Sequence, residues 1–290
     1  MTADGPDGPL RHGPDGPLRH APDGPLRRGP DGPRRRGVWI ALAIATALVV
    51  VAPVLPAALG RAVRQTSSSV TPYHHAIREL RLDMEGAAVS VGPGPDGEAR
   101  VYKDLRWGLR EPGVTESLVD GVLSVAFRCG GTGLPGGGCG ADIDVRVPAG
   151  TRVSAVSGAG EIDVRGLTGD LDLRTGSGRI GVAGARGRLR LRARSGAITG
   201  TGLASPETRA RVSSGALDLR YAEPPRTVEA SAGSGAAKII VPPGSHYAVQ
   251  AGTGSGDVHL NQAVIDPHAP GSISVHTGSG TTYVDYRDEP

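Results

Sequence analysis

The sequence predicts an all-β fold: a single-stranded β-solenoid-like stack of ~20-residue repeats with a β cap, preceded by one transmembrane helix and a disordered tail. Three observations carry that reading. One phrase, an alternating stretch on each side of a Gly-rich turn, recurs seven times after Gly150. The 290 residues include 46 Gly and 24 Pro but only two Trp, six Tyr and one Phe, so small aliphatics must fill the core. The run Val38–Leu59 carries no charge at all.

The chain opens on an octad read four times, at Gly5–His12, Gly13–His20, Ala21–Arg28 and Gly29–Arg36. With almost no apolar side chains to offset chain entropy, residues 1–37 are expected to form a disordered cytoplasmic arm. It reads either as a low-complexity spacer or as a ligand arm for a cytoplasmic partner. Val38–Leu59 as a helix would reach ~33 Å, against a hydrocarbon core of ~30 Å, so a transmembrane helix is expected over 38–60. Pro53 and Pro56 fall near its outer end. Arg27, Arg28, Arg34, Arg35 and Arg36 precede the run and fewer basic residues follow it. That bias keeps the N-terminus in the cytoplasm and places the C-terminal domain outside the cell membrane. A cleaved signal peptide competes with this reading, since Ala58-Leu59-Gly60 offers a small-x-small site. The long polar region ahead of the run, and the length of the run, argue against it.

Residues 61–76 read as a polar juxtamembrane linker containing His74 and His75. Residues 77–148 alternate in Ile77–Met84, Ala88–Val91, Arg100–Leu105, Val114–Val119, Val122–Phe127 and Asp142–Val147, and read as a membrane-proximal β cap. Asp120-Gly121 is a two-residue hairpin signal, and Trp107 and Phe127 are the larger core candidates. Cys129 and Cys139, separated by GGTGLPGGG, are the only cysteines. Outside the cytoplasm, two cysteines this near each other read as a disulfide; no neighbouring His or Cys supports zinc.

Residues 149–286 carry the repeats. The turn glycines Gly160, Gly178, Gly196, Gly215, Gly235, Gly256 and Gly280 are spaced 18, 18, 19, 20, 21 and 24 apart. Pairs such as Ile162/Val164, Ile180/Val182 and Leu217/Leu219 share one face after the turn, and Leu171/Leu173 and Leu189/Leu191 share one before it. Each coil is therefore two short strands joined at a Gly-Ser-Gly corner, where glycine can take positive φ.

The net charge is +3, and beyond the arm and apolar run it is close to zero, which excludes a basic domain built for nucleic acid. Stacking the coils in register puts Arg188, Arg190, Arg192 and Arg194 on one strand's outer face. Arg174 takes the matching row on the coil before, and Arg209 and Arg211 on the coil after. This flank is either a solvated face, partly neutralised by Asp170, Asp172, Glu207 and Glu229, or a docking site for a polyanion such as a phosphate-rich wall polymer, anionic lipid head groups or an acidic protein. Asp163, Asp170, Asp172 and Asp218 are the candidates for carboxylate chemistry on a polysaccharide, but no neighbouring aromatics would stack a sugar. The residues after the turn glycines are Glu161, Arg179, Ala197, Ala216, Ala236, Asp257 and Thr281, with too few carboxylates for a calcium ladder. No Gly-x-Gly phrase opens a helix or precedes Lys-Ser/Thr, so no phosphate loop is read. The histidines are scattered, and neither a catalytic set nor a cofactor is expected.

Tyr73–Tyr286 resembles a bacterial family of β-strand-repeat domains of unknown function labelled "putative adhesin", in its membrane-anchored actinobacterial form. The resemblance rests on the linker Arg61–Thr66, LRLDMEGAAVSV (Leu80–Val91), the paired cysteines, VDGVLSVAFRC (Val119–Cys129), VRVPAG (Val145–Gly150) and the SG-turn repeats. It implies a fold and a location, and no reaction. The expected function is a single-pass, membrane-anchored, non-enzymatic envelope protein presenting its solenoid to a wall component or protein. A polysaccharide-acting enzyme, or a sensor signalling through the arm, are the alternatives.

Overall fold

A computed structural model describes residues 37–47, 49, 65–108, 110–130 and 139–287. The octad arm, the first four residues of the linker (61–64) together with Pro53 and Pro56, and the glycine loop between the cysteines lie outside the described residues. Residues 37–47 are helical. Among the described residues no helix is long and apolar enough to cross a membrane, and residues 48 and 50–60 of the expected span lie outside them.

The rest is β. In chain order the strands are β1 (Gln65–Tyr73), β2 (Glu79–Met84), β3 (Ala88–Pro93), β4 (Ala99–Trp107), β5 (Gly113–Val119), β6 (Val122–Arg128), β7 (Gly140–Val147), β8 (Arg152–Ser157) and β9 (Ile162–Arg165). They continue with β10 (Leu171–Ala183), β11 (Leu189–Leu203), β12 (Glu207–Tyr221), β13 (Thr227–Val241), β14 (Ala248–Ser255), β15 (Val258–Leu260), β16 (Ser272–Ser279) and β17 (Thr282–Tyr286). The alternation read from the sequence recurs in burial: Leu171, Leu173, Ile180 and Val182 are buried in β10, while Arg174 and Arg179 are exposed.

The four long strands β10 to β13 each hold one coil, bent at the Gly-Ser-Gly corner, and pair in parallel register. Thus Leu171 faces Leu189 and Ile180 faces Ile198, and Leu191 faces Ala210. Every coil adds one strand to a leading ladder, before the corner, and one to a trailing ladder, after it. The inward side chains of both ladders form one aliphatic core.

The corner glycines show why Gly recurs there. Gly196, Gly215 and Gly235 take φ of 134°, 137° and 126°, and a Cβ on any of them would strike the carbonyl oxygen of the corner glycine one coil earlier. Following these contacts from coil to coil gives the order Ala87, Gly160, Gly178, Gly196, Gly215, Gly235, Gly280, Gly256.

That order departs from a sequential stack at both ends. The coil β16/β17 lies between β13 and β14/β15, pairing with each in parallel. At the other end β2/β3 pairs with β8/β9 on one side and with β6/β7 on the other. The expected cap 77–148 thus supplies two further parallel coils to the stack. Its antiparallel strands close the end: β5 hairpins onto β6 through Asp120 and Gly121, both at positive φ, and β4 lies against β7.

The expected linker 61–76 also differs, because its residues from Gln65 to Tyr73 form β1, antiparallel to β4. Its Ser/Thr-rich run is mostly exposed, so main-chain pairing holds it and no apolar alternation marks it in the sequence. Cys129 and Cys139 are joined as expected, with Cα atoms 5.9 Å apart. They bridge β6 and β7, where other coils have a tight glycine corner. Phe127 is fully buried and Trp107 nearly so.

Candidate arginine flank on the leading ladder

Three outward rows cross the leading ladder from coil to coil. Asp172, Arg190, Arg209 and Glu229 make one row, and Arg174, Arg192, Arg211 and Ser231 make the next. Ahead of both, the Arg188 amide and guanidinium donate to Asp170, at 3.0 and 2.8 Å. Arg194 is the next outward residue of β11. The structure therefore brings all seven sequence-predicted arginines, Arg174, Arg188, Arg190, Arg192, Arg194, Arg209 and Arg211, onto one flank over three successive coils. All seven are exposed.

Their partners divide them. Arg174 pairs with Asp172 of its own strand at 2.9 Å, Arg188 with Asp170 at 2.8 Å and Arg209 with Glu229 at 3.0 Å. Arg211 donates to Ser231 Oγ at 3.1 Å, a neutral partner. Among the described residues, the side chains of Arg190, Arg192 and Arg194 make no ion pair or hydrogen bond. Four guanidinium groups on two adjacent coils thus lack a carboxylate. Coils lie ~4.8 Å apart and alternate residues of one strand ~6.7 Å apart, so these charges are too close to ignore one another. Arg188, by its side-chain hydrogen bonds, holds the Asp170 carboxyl below the usual range against partial burial. Asp170 is thus committed as a partner.

A groove of about 480 Å³ runs across six coils beside this face, lined by Glu79, Arg152, Asp170, Asp172, Arg188 and Arg190 among others. Sequence reasoning missed Glu79 and Arg152. Glu79 lies on an out-of-order coil, which no repeat spacing announces.

The four candidate carboxylates do not converge. Asp170 and Asp172 stand on the leading ladder, while Asp163 and Asp218 stand on the trailing ladder. Each has an arginine partner: Arg165 at 3.9 Å for Asp163, and Arg220 at 3.0 Å for Asp218. The residues after the corner glycines stack as Glu161, Arg179, Ala197, Ala216, Ala236, Thr281, Asp257, the last two exchanged from the order in the sequence, and Glu161 pairs with Arg179 at 2.8 Å. On the trailing ladder, Lys238 Nζ lies 5.0 Å over the Tyr283 ring, whose centroid is 6.2 Å from that of His259. No group of three or more His, Cys, Asp or Glu among the described residues could hold a metal ion.

Residues 140–286, just over half of the chain, match the model of a family described as Toastrack DUF4097. Three solved structures resemble the fold. A "putative cell adhesion protein" from Clostridium sporogenes is 10% identical with a TM-score of 0.34, covering 77% of this chain and 100% of its own. A "putative lipid binding protein" from Parabacteroides distasonis is 10% identical at 0.36, covering 79% and 98%. A "putative adhesin" from Bacteroides fragilis is 12% identical at 0.32, covering 76% and 97%. No curated protein matches the chain.

Proposed function

We propose, on the premise that this chain belongs to the Toastrack DUF4097 family, that it is a non-catalytic envelope protein offering the arginine flank of its coil stack to a phosphate-rich wall polymer. One observation carries the reading: Arg190, Arg192, Arg194 and Arg211 have no carboxylate partner, while their neighbours on the same flank are neutralised. A polymer with regularly spaced anions suits a row of forks at fixed spacing, because each fork can grip a phosphate bidentately. Binding of this kind weakens steeply with salt as counterion release is lost.

The test is retention of the purified protein on cell-wall material and on anionic liposomes at low and high salt, beside an Arg190→Glu, Arg192→Glu, Arg211→Glu variant. The expected result is salt-sensitive retention on wall material that the variant loses by about tenfold or more. Equal retention of both proteins removes the flank from consideration. Preference for liposomes would reassign the ligand to lipid head groups.

The same reading holds the stack outside the cell membrane, by the membrane-anchored form that the sequence resembles. The uncharged run Val38–Leu59 and the arginines ahead of it support this. External protease on intact protoplasts is expected to remove everything beyond Arg61 and to leave a fragment bearing the octads. Protection of the C-terminal domain would reverse the orientation.

A further inference from the structure

The two ends of the stack are closed differently. At the β5 end Val114 and Leu118 of β5 are half-buried, but the inward position between them is charged: Glu116 accepts from Lys103 of β4 and from the Tyr73 hydroxyl of β1, with Lys103 and Glu116 only 14% and 12% exposed. That ion pair, at the middle of the end, opposes the docking of a purely apolar coil. β1 adds Pro72, a residue that spoils an edge for further pairing.

At the other end the coil β14/β15 has neighbours on one side only. Past the single bridge from Tyr247 to Ile265, nothing among the described residues pairs with the outer edge of β14. Its inward residues are those of every other coil, yet they are incompletely covered. Ile273, Val275 and Val284 of the adjacent coil are at most 1% exposed, whereas their register partners Val249, Ala251 and Leu260 are half-buried and Val258 is 40% exposed. The edge also lacks the usual protection. Ala248–Ser255 contains no charge and no proline, and its outward residues are Ala248, Gln250, Gly252 and Gly254.

We infer that the β14/β15 end is the interface for a second copy of this chain, joined end to end about a two-fold axis normal to the sheets. Each half-covered residue is buried elsewhere in this chain by another coil of the same width and register, and a second copy brings such a coil. The β5 end, with the Lys103–Glu116 pair at its middle and Pro72 on β1, is the poorer match, so the contact is like with like and closes at two, where a head-to-tail contact would propagate. With that axis β14 meets its copy antiparallel and both ladders continue. A register that keeps inward residues inward sets Gln250 opposite or diagonal to Gln250 of the other copy. Its neutral neighbours then meet without repulsion, which an edge bearing the arginines of β11 could not do.

Sedimentation velocity of the full chain in mild detergent tests this over a concentration series. A reversible dimer is expected, weakened about fivefold or more in Gln250→Lys, and equally in Gln250→Glu, by like charges brought together. Mixing the two variants restores it. Amides along β14 should exchange slowly in concentrated wild-type protein and quickly in dilute, which reads the contact without a substitution. A chain monomeric throughout, a dimer indifferent to Gln250, assembly beyond two copies, or β14 amides that exchange alike at both concentrations would each overturn the inference.

Discussion

Tyr221 sits wholly inside an aliphatic core with its hydroxyl unbonded among the described residues, and so are the buried hydroxyls of Thr208 and Tyr247. Thr208 lies near Tyr221 but outside hydrogen-bond geometry. Tyr221→Phe keeps the ring and removes the orphan oxygen, so thermal melts are expected to show a gain of about 1 kcal/mol. Burial pushes the phenols of Tyr221 and Tyr247 up, and burial with Glu116 does the same for Tyr73. A raised folded value means that this contribution is intact below the free phenol's range and fades as pH rises beyond about 10. Wild-type melting temperature should therefore fall above that pH, and less steeply in Tyr221→Phe. A decline identical in both proteins would clear Tyr221 of the effect. The arginine rows were legible residue by residue, because β10, β11 and β12 are consecutive and a shift of eighteen or nineteen maps one onto the next. Their partners were not, since whether Asp172 reaches Arg174 of its own strand or an arginine of the next coil is a matter of rotamer.

Strand by strand, the alternation and the glycine spacing disclosed each coil's two strands and the bend between them. The corner makes a sharp test. In Gly215→Ala the new Cβ meets backbone of the preceding coil at a φ of 137°, and neither coil can yield without breaking register. A loss of at least about 3 kcal/mol is expected in urea unfolding. Gly202→Ala, where φ is 59° and nothing lies within 4 Å, should cost only about 1 kcal/mol of left-handed strain. Similar losses at the two sites would mean that coil stacking does not enforce the corner glycines. β1 stayed hidden because a strand held by main-chain bonds at a polar edge has no side-chain pattern to betray it.

Over the molecule as a whole, the sequence disclosed what a coil is but not which coil lies beside which. AVQAGTGS of β14 and SISVHTGS of β16 present the same alternation to β13 and end on the same corner, so either could fill the place beside it. Only the bonded register shows that the later segment lies inside and the earlier one at the end. Synthesis runs in one direction and this stack does not. When Leu260 has been made, the neighbour it will keep does not yet exist, and β13 lacks its native partner until Ser272–Tyr286 has followed. The domain is thus fastened by almost the last of its residues to be made, like a rope's end tucked back under its final turn.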